Sequence, residues 1–206
     1  MSNEIWDKIY SAETFRLPDY DGWLDQYWDV WKNARNIIDL GCGSGVNTIF
    51  LNSQGVRTIA CDFSGRALDR LLSILPGART LCFDMAEGLP FGDSFSDLII
   101  ADLSLHYFTK EKTADILNDI HRVLSKNGCL LCRVNSVKEY EENEDKAECS
   151  EIERHVYKNP RMVKRFFDRA DIDEIFIGWD IKYASEVIIG KYGGTKYAWE
   201  ICLKKQ

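Results

Sequence analysis

The chain has 206 residues and a formal net charge of −7, with 45% hydrophobic and 29% charged residues. This composition is ordinary for a soluble globular protein and excludes a disordered chain. The acidic balance disfavours a nucleic-acid partner, because such binders need a basic face. No apolar run is long enough to span a membrane, and the opening residues lack the features of a secretory signal. We therefore expect one cytoplasmic domain over residues 1–206, a monomer or homodimer with no membrane contact.

The excess negative charge belongs to one segment. Residues 139–153 hold eight acidic residues and one lysine, so the rest of the chain is neutral. A solvated loop is the first interpretation of such a run. The alternative is a lid that repels anions or attracts a cationic substrate.

Seven cysteines without an export signal indicate reduced thiols. Cys129 and Cys132 form a CxxC pair, but they lie in an apolar run that predicts a buried strand, where their side chains would point to opposite faces. The sequence has no second pair of this kind, and its histidines lack metal-ligand spacing. We therefore expect no metal site.

The predicted elements begin with an aromatic-rich helical cap over residues 1–34, in which Trp23, Tyr27 and Trp31 have the spacing of one helix face. A cofactor-binding core over residues 35–135 follows. Its predicted strands are Asn36–Leu40, Val56–Asp62, Arg79–Phe83, Asp97–Ala101 and Cys129–Val134. Its predicted helices cover Asn47–Gln54, a segment capped by Ser64 and a segment capped by Thr109.

Residues 136–170 are predicted as the acidic lid or substrate segment and a last helix that starts at Asn159-Pro160. Residues 171–206 are predicted as strands, with Ile172–Gly178, Ile181–Ile189 and Lys196–Leu203 extended and a turn at Gly193-Gly194. The alternation along the chain predicts an α/β fold, a Rossmann-like and mostly parallel sheet with helices on both faces and an antiparallel C-terminal hairpin edge. Ligands on such sheets bind at the carboxyl ends of the strands.

Three glycines, Gly41, Gly43 and Gly45, occupy alternate positions between a predicted strand and a predicted helix. Glycine lets the backbone turn sharply and approach a ligand closely. The spacing does not fit the GxGxxG dinucleotide fingerprint, whose third glycine would fall on Val46 or Thr48, and the phosphate loop is absent too. The turn therefore faces a ligand that needs no pyrophosphate cradle.

Acidic residues lie at three successive strand ends, Asp39 at the first, Asp62 at the second and Asp84 after the third. A carboxylate at the second end accepts ribose hydroxyls in nucleotide sites. A carboxylate at the third end can accept an adenine amino hydrogen, and one near the first can hold an ammonium group. S-adenosylmethionine has an ammonium group, a ribose and an adenine but no phosphates.

These residues resemble the class I S-adenosylmethionine-dependent methyltransferase family over roughly residues 35–135, and more loosely in the closing strands. The resemblance implies a seven-stranded sheet whose last strand is antiparallel. It also implies methyl transfer with S-adenosyl-L-methionine as cofactor and S-adenosyl-L-homocysteine as product.

The resemblance further assigns roles to residues along the cofactor. The three glycines pass its amino-acid part, Asp62 holds the ribose hydroxyls and Phe63 flanks the adenine. Asp84 and Met85 bind the adenine edge, and the backbone at Ala101 or Asp102 meets the ammonium group. The cofactor-binding residues so implied are Asp39, Gly41, Gly43, Gly45, Asp62, Phe63, Asp84, Met85, Ala101 and Asp102.

Methyl transfer mainly requires alignment of the reactants, and a base only where the acceptor carries a proton. His106, after the fourth strand, is the candidate catalytic base, and packing near the cofactor is an equally good interpretation. The candidate substrate residues are Trp6, Tyr10, Tyr107, His155, Tyr157 and Arg161. Helix packing remains the alternative for the first two, and solvent exposure for the last.

The stretch before the C-terminal hairpin, and Asn47 after the glycine turn, are weakly similar to small tellurite- and thiopurine-type methyltransferases. The similarity favours a small-molecule acceptor, with a protein side-chain methyltransferase or a non-catalytic S-adenosylmethionine-binding protein as alternatives. A nicotinamide oxidoreductase is disfavoured by the glycine spacing, and because its Tyr192–Lys196 pair falls in a predicted hairpin.

Overall fold

The computed structural model describes residues 3–143, 146, 148–190 and 194–206. Its strands are β1 (Ile37–Leu40), β2 (Thr58–Asp62), β3 (Arg79–Cys82), β4 (Ser96–Asp102), β5 (Leu124–Asn135), β6 (Ser150–Glu153), β7 (Val156–Lys158), β8 (Val163–Arg165), β9 (Asp180–Ile189) and β10 (Lys196–Lys204). Its helices are α1 (Asn3–Ser11), α2 (Trp28–Trp31), α3 (Val46–Ser53), α4 (Gly65–Ile74), α5 (Lys110–Val123), α6 (Val137–Asn143) and α7 (Arg169–Ile175).

The central sheet has seven strands in the order β3-β2-β1-β4-β5-β10-β9. The first five of these strands are parallel, and β10 runs antiparallel to both β5 and β9. The order reverses at β1, where β2 lies on one side and β4 on the other, so a crevice for a ligand opens there. The predicted α/β fold with an antiparallel C-terminal edge is confirmed.

Two predicted helix caps are also confirmed. The Ser64 hydroxyl accepts a hydrogen bond from the backbone N–H of Ala67 at the start of α4, and Thr109 accepts one from Lys112 at the start of α5. Both residues satisfy N–H groups that a helix start leaves without partners. These caps fix where each helix leaves the carboxyl end of its strand.

The sheet is covered on both faces. One face packs against the apolar stripe of α5 and against α7, and the other packs against α3 and the aromatic segment before β1. Trp23, Tyr27 and Trp31 are buried in that second layer, but the single helix predicted for them is wrong. The segment forms a short 3₁₀ turn over residues 25–27 followed by α2, and Trp23 precedes both.

The predicted last helix is displaced. Asn159 accepts hydrogen bonds from the backbone N–H groups of Arg161 and Met162, so this stretch turns and continues into β8. The helix α7 begins later, after Asp168, and runs into the predicted extended stretch Ile172–Gly178, so that prediction of a strand is wrong. Asp168 and Asp171 form a reciprocal capping box there, which fixes a helix despite the β-branched residues that follow.

The acidic segment is not one solvated loop. Residues 137–143 form α6, in which Glu139 is buried, and residues 150–153 form β6, the edge of a small antiparallel sheet with β7 and β8. Residues 144, 145 and 147 of the predicted lid, and Gly193 of the predicted turn, lie outside the described residues. In the part of the chain that is described, no helix combines the length and apolarity that crossing a membrane requires.

Candidate functional site

A cavity of about 700 Å³ opens where the first four strands end. This volume lies in the range of small-ligand sites. Its walls come from the turns after these strands, from α1 and the segment after it, and from α6 and the start of β10. Residues that line it include Trp6, Tyr10, Gly41, Gly43, Asn47, Asp62, Phe63, Asp84, Met85, Asp102, Leu103, His106, Tyr107, Phe108, Glu139 and Lys196.

The glycine turn forms the floor of this cavity. Gly41 and Gly43 have φ values of +71° and +55°, which side chains rarely adopt. A Cβ atom on Gly41 would lie 2.4 Å from the Cβ of Ser104, and one on Gly43 would lie 2.5 Å from the hydroxyl of Tyr10. The turn therefore requires glycine both for its backbone shape and for the close approach of its neighbours.

Asp62 is fixed at the end of β2 by two backbone bonds. Its Oδ2 accepts the N–H of Gly43 at 2.8 Å, and its Oδ1 accepts the N–H of Ser64 at 2.9 Å. Burial raises the pKa of the Asp62 carboxyl, while these N–H groups act in the opposite direction. Each carboxylate oxygen keeps a second lone pair, which can accept a hydroxyl of a ligand.

The end of β3 contributes Asp84 and Met85. Asp84 accepts the N–H of Ala86 at 2.9 Å and so begins a short 3₁₀ turn over residues 85–87. Phe63, at the end of β2, also lines this part of the cavity. The structure thus brings the residues predicted for the ribose and the adenine into one wall.

Asp39 and Ala101 have a different placement. Asp39 lies in β1 and is buried, and its Oδ2 accepts the hydroxyl of Thr48 at 2.7 Å. Ala101 is buried in β4. Neither is among the residues that line the cavity, whereas Asp102, the alternative to Ala101 for a backbone contact with the ammonium group, is. Asp39 instead ties β1 to α3, just behind the glycine turn.

Asp102 does line the cavity, and it is held by a residue that the sequence analysis missed. Arg133 of β5 donates to Asp102 at 2.7 and 2.9 Å and to Asp21 at 2.6 Å. Burial lowers the pKa of Arg133, but the two carboxylates raise it more, so it stays charged. The sequence does contain a sign of this role, because Arg133 is a charged residue inside the apolar run of β5.

The same network reaches the glycine turn through Trp23 and Asn47. The Arg133 guanidinium lies 4.5 Å from the centre of the Trp23 ring, a cation–π contact. The Trp23 indole N–H donates to Asn47 at 2.9 Å, and Asn47 donates to Asp102 at 3.3 Å. The end of β4, the start of α3 and the N-terminal segment are therefore locked together.

Helix α1 forms a roof over the cavity. Trp6 stacks on Tyr10 with the ring centres 6.1 Å apart, and it meets the ring of Tyr107 edge-on at 5.4 Å. The backbone oxygen of Tyr10 accepts the guanidinium of Arg70 at 2.8 Å, and Asp7 accepts the hydroxyl of Ser64 at 2.6 Å. The roof is thus anchored on α4.

His106 occupies the wall beyond the end of β4. It is 1% exposed, and its Nδ1 is buried without a hydrogen-bond partner among the described residues. Burial lowers the pKa of His106 well below its ordinary value, and the charges of Lys196 and Lys164 act in the same direction. The imidazole is therefore neutral at pH 7.

An ion pair missed by the sequence analysis lies at the same end of the cavity. Lys196 of β10 lies 3.4 Å from Glu139 of α6, and Glu139 also accepts the N–H of Tyr197 at 2.8 Å. The amide of Asn143 donates to Glu139 at 2.9 Å and to the backbone oxygen of Thr195 at 2.7 Å. A polar wall thus joins α6 to the start of β10.

Three predicted substrate residues do not reach this cavity. The Nδ1 of His155 lies 2.7 Å from Oδ2 of Asp171, Tyr157 stacks on Tyr140, and Arg161 is exposed. They belong to the small sheet of β6, β7 and β8 and to its turns. The expectation that they contact substrate came from the family resemblance, and solvent exposure, the alternative for Arg161, is what the structure shows for that residue.

The cavity fits S-adenosylmethionine. Asp62 offers lone pairs beside a floor that has no room for Cβ atoms, and this suits a ribose bound close to the backbone. Asp84 lies beside the apolar Phe63 and Met85, as an aromatic base with an amino group requires. Asp102, whose backbone is predicted to meet the ammonium group, lines the same cavity, and its carboxylate is paired with Arg133.

Residues 37–128 match the family described as a methyltransferase domain. The chain is 35% identical over 95 residues to an uncharacterised methyltransferase of Synechocystis sp., which covers 46% of this chain and 44% of that protein. It is 30% identical over 109 residues to a tRNA N(3)-cytidine methyltransferase of Gallus gallus, which covers 47% of this chain and 29% of that protein. The matches span less than half the length of these relatives.

Solved structures share the fold over almost the whole chain. A SAM-dependent methyltransferase from Methanosarcina mazei has a TM-score of 0.74 at 17% identity and covers 91% of this chain and 98% of its own. TehB from Haemophilus influenzae has a TM-score of 0.66 at 15% identity and covers 99% and 67%. At these identities the likeness concerns the fold.

Proposed function

We propose that this chain, a class I S-adenosylmethionine-dependent methyltransferase by its matched domain and its fold, methylates a small organic molecule. The matched domain and the fold confirm the predicted family and its cofactor. The kind of acceptor is our proposal, and the roofed cavity is the observation that supports it.

When bound, S-adenosylmethionine supplies a methyl group that its positively charged sulfur activates for transfer. The chain has to hold the reactants in line and keep water out, which can lower the barrier by about 7–11 kcal/mol. In this proposal Asp62 accepts the ribose hydroxyls, and Asp84 and the backbone at Met85 bind the adenine. The backbone that Arg133 fixes at Asp102 positions the amino-acid part.

The roof favours a small acceptor. Trp6 and Tyr10 of α1 lie across the cavity and contact Tyr107 and the glycine turn. A nucleobase within a folded RNA, or a side chain on a folded protein, could enter only if this helix moved away. The net charge of −7 also opposes a polyanionic partner.

Two alternative functions have to be distinguished from this one. The Gallus gallus relative acts on tRNA by its name, but its match covers under half of this chain. A binding protein without turnover would keep the cofactor floor and need no acceptor. Both rivals predict results that differ from ours in a transfer experiment.

Thermal unfolding with S-adenosylmethionine, S-adenosylhomocysteine, NADH or no ligand tests the cofactor. A ligand at 100 times its Kd adds about 2.7 kcal/mol of stability, and we expect a midpoint rise of about 5–10 °C with the two adenosyl compounds only. No rise with either of them would overturn the assignment.

Transfer of a labelled methyl group to the fractions of a cell extract tests the acceptor. We expect label in the filtrate that contains small molecules, and none in purified RNA or protein. Label in RNA or protein would contradict the small-molecule proposal. Cofactor binding with no labelled product in any fraction would favour the binding protein.

A further inference from the structure

His106 is distinctive among the residues around the cavity. Of the described residues that line it, His106 alone has a buried side-chain polar atom without a hydrogen-bond partner. The other acids and amides of the lining are bonded within the chain, as the pairs of Asp62, Asn47 and Glu139 show. A buried polar atom without a partner costs free energy unless a ligand or water supplies one.

We propose that His106 accepts the proton of the methyl acceptor, which is therefore a protic nucleophile, a hydroxyl or thiol on a flat aromatic molecule. This inference rests on the proposed function and names the substrate class for the same site. It assigns His106 as a catalytic residue in contact with the acceptor.

The protonation state of His106 suits this role. A neutral imidazole has one ring nitrogen that carries a proton and one that accepts a proton. A general base has to be unprotonated before the reaction, and burial of His106 provides that form at neutral pH. An acceptor without a proton would leave that nitrogen unused, and the burial of His106 would then bring no benefit to the reaction.

The charges that face the ring come from three neighbouring elements. Lys164 of β8 and Lys196 of β10 oppose protonation, and Asp102 of β4 favours it more weakly. Asp102 is paired with Arg133, and Lys196 is paired with Glu139. Burial first, and then the two lysines, keep the ring neutral, and the lysines also favour negative charge on an acceptor that is losing its proton.

The rings around His106 indicate the shape of the acceptor. Tyr107 lies 4.3 Å from the His106 ring, centre to centre, and Trp6 lies 5.4 Å from Tyr107. Phe108 lines the cavity beside them. Aromatic rings attract further aromatic rings in offset or edge-on contact, so this cluster offers a surface on which a flat acceptor can pack. An aromatic acceptor would place its nucleophilic atom beside His106.

The proposed step balances. A lone pair of the acceptor oxygen or sulfur forms the bond to the methyl carbon, and the carbon–sulfur bond of the cofactor breaks with its electron pair kept on sulfur. The acceptor's proton moves to a ring nitrogen of His106 and then to solvent. No oxidant, reductant or further reactant is needed.

The test uses a panel of substituted phenols and thiophenols, some protonated and some ionised at the assay pH, with S-adenosylhomocysteine formation as the measure. We expect His106→Asn to lower kcat/KM by about 10²–10⁴-fold for the protonated members. For the ionised members, which need no base, the loss should be within about threefold. His121→Asn is the matched control, because His121 lies on α5 against Trp179, and its rates should equal those of the unmodified chain.

Several outcomes would overturn the proposal. Equal losses for protonated and ionised acceptors would mean that His106 only shapes the cavity. Turnover of dimethyl sulfide or tellurite, with none of the phenols or thiophenols, would mean an aprotic acceptor. A protein that binds the cofactor but turns over no phenol or thiophenol would also overturn the proposal.

A proton NMR titration of the histidine rings gives a readout that does not depend on turnover. The ring signal that His106→Asn removes should titrate below the ordinary histidine range. A signal that titrates at or above that range would overturn this inference while leaving the proposed function intact. Loss of cofactor binding in the unmodified chain would instead overturn the proposed function.

Discussion

The cavity has two halves. The cofactor half comprises the glycine turn and the strand ends at Asp62, Asp84 and Asp102. The acceptor half comprises α1, residues 106–108 and the Glu139–Lys196 pair. In the first half the carboxylates are bonded to backbone N–H groups or to a buried arginine. In the second half the contacts are ring against ring, with one ion pair and an unpartnered nitrogen of His106.

This difference matches two tasks. A cofactor that is the same in every turnover is best met by groups fixed in advance, since ordering them on binding would cost affinity. An acceptor has to enter and its product has to leave, and its half is covered by α1 and by aromatic side chains in ring-to-ring contact. Mutations should therefore affect stability and cofactor affinity in the first half, and turnover in the second.

Arg133→Met should give the largest effect. It leaves Asp102 and Asp21 as buried or half-buried carboxylates without their cation, and breaking a buried pair in this way costs about 3–5 kcal/mol. Urea unfolding would measure the loss. Lys196→Met in the acceptor half should cost less than half as much, because Glu139 keeps its bonds to Tyr197 and Asn143. Equal losses would remove the distinction between the halves.

Arg35→Met is the surface control for that experiment. Arg35 pairs with Asp97 at 3.1 Å, but its side chain is 86% exposed. Such pairs contribute about 1 kcal/mol or less. A loss as large as that of Arg133→Met would mean that charge removal, and not the buried network, lowers stability.

Asp62→Asn should weaken cofactor binding. The amide keeps one acceptor oxygen but loses the charge, and it turns an N–H₂ group toward the N–H of Gly43 or Ser64. Hydrogen bonds to charged groups contribute about 1.5–3 kcal/mol, so the Kd for S-adenosylmethionine should rise about 10–150-fold in calorimetry. Asp93→Asn, at an exposed pair with Arg122, is the control, and an unchanged Kd for Asp62→Asn would contradict its assignment.

The cofactor half could be predicted from the sequence because its determinants are local. A strand, a turn with three glycines and an acid at the next strand end are adjacent along the chain, and parallel strands bring their carboxyl ends together. The caps at Ser64 and Thr109 are likewise decided within four residues. Asp39 shows the limit of this reasoning, because the same local position faces Thr48 and not the cavity.

The acceptor half could not be predicted because distant segments form it. Nothing local in the sequence indicates that Lys196 meets Glu139, or that Arg133 joins Asp21 to Asp102. The helix predicted at Asn159-Pro160 fails for a related reason. Proline at a first helical position is permitted but not decisive, and the capping box of Asp168 and Asp171 starts the helix later. His155, Tyr157 and Arg161, predicted as substrate residues, are not among the residues that line the cavity.

Gly43→Ala joins the two halves, because a Cβ there would meet the hydroxyl of Tyr10 in the roof. We expect a loss of about 1–2 kcal/mol from the positive φ alone, with a further loss from the contact. In a Tyr10→Phe background, which removes that hydroxyl, the same substitution should cost less. Urea unfolding of the four proteins measures the coupling. Strictly additive losses would mean that the roof does not rest on the turn.

The pH dependence of stability should show the smallest effect, and it isolates His106 in the acceptor half. Because the folded pKa of His106 lies below its unfolded value, the unfolded chain binds more protons as the pH falls below about 6.5. The free energy of unfolding should then decrease by at most about 1.4 kcal/mol per pH unit for this one group. His106→Asn should remove that part of the slope between pH 6.5 and 5.5, whereas Asp62→Asn should leave it in place. If the slope of His106→Asn equals that of the unmodified chain, His106 is not held neutral by the fold, and the acceptor half has no base poised for a protic acceptor.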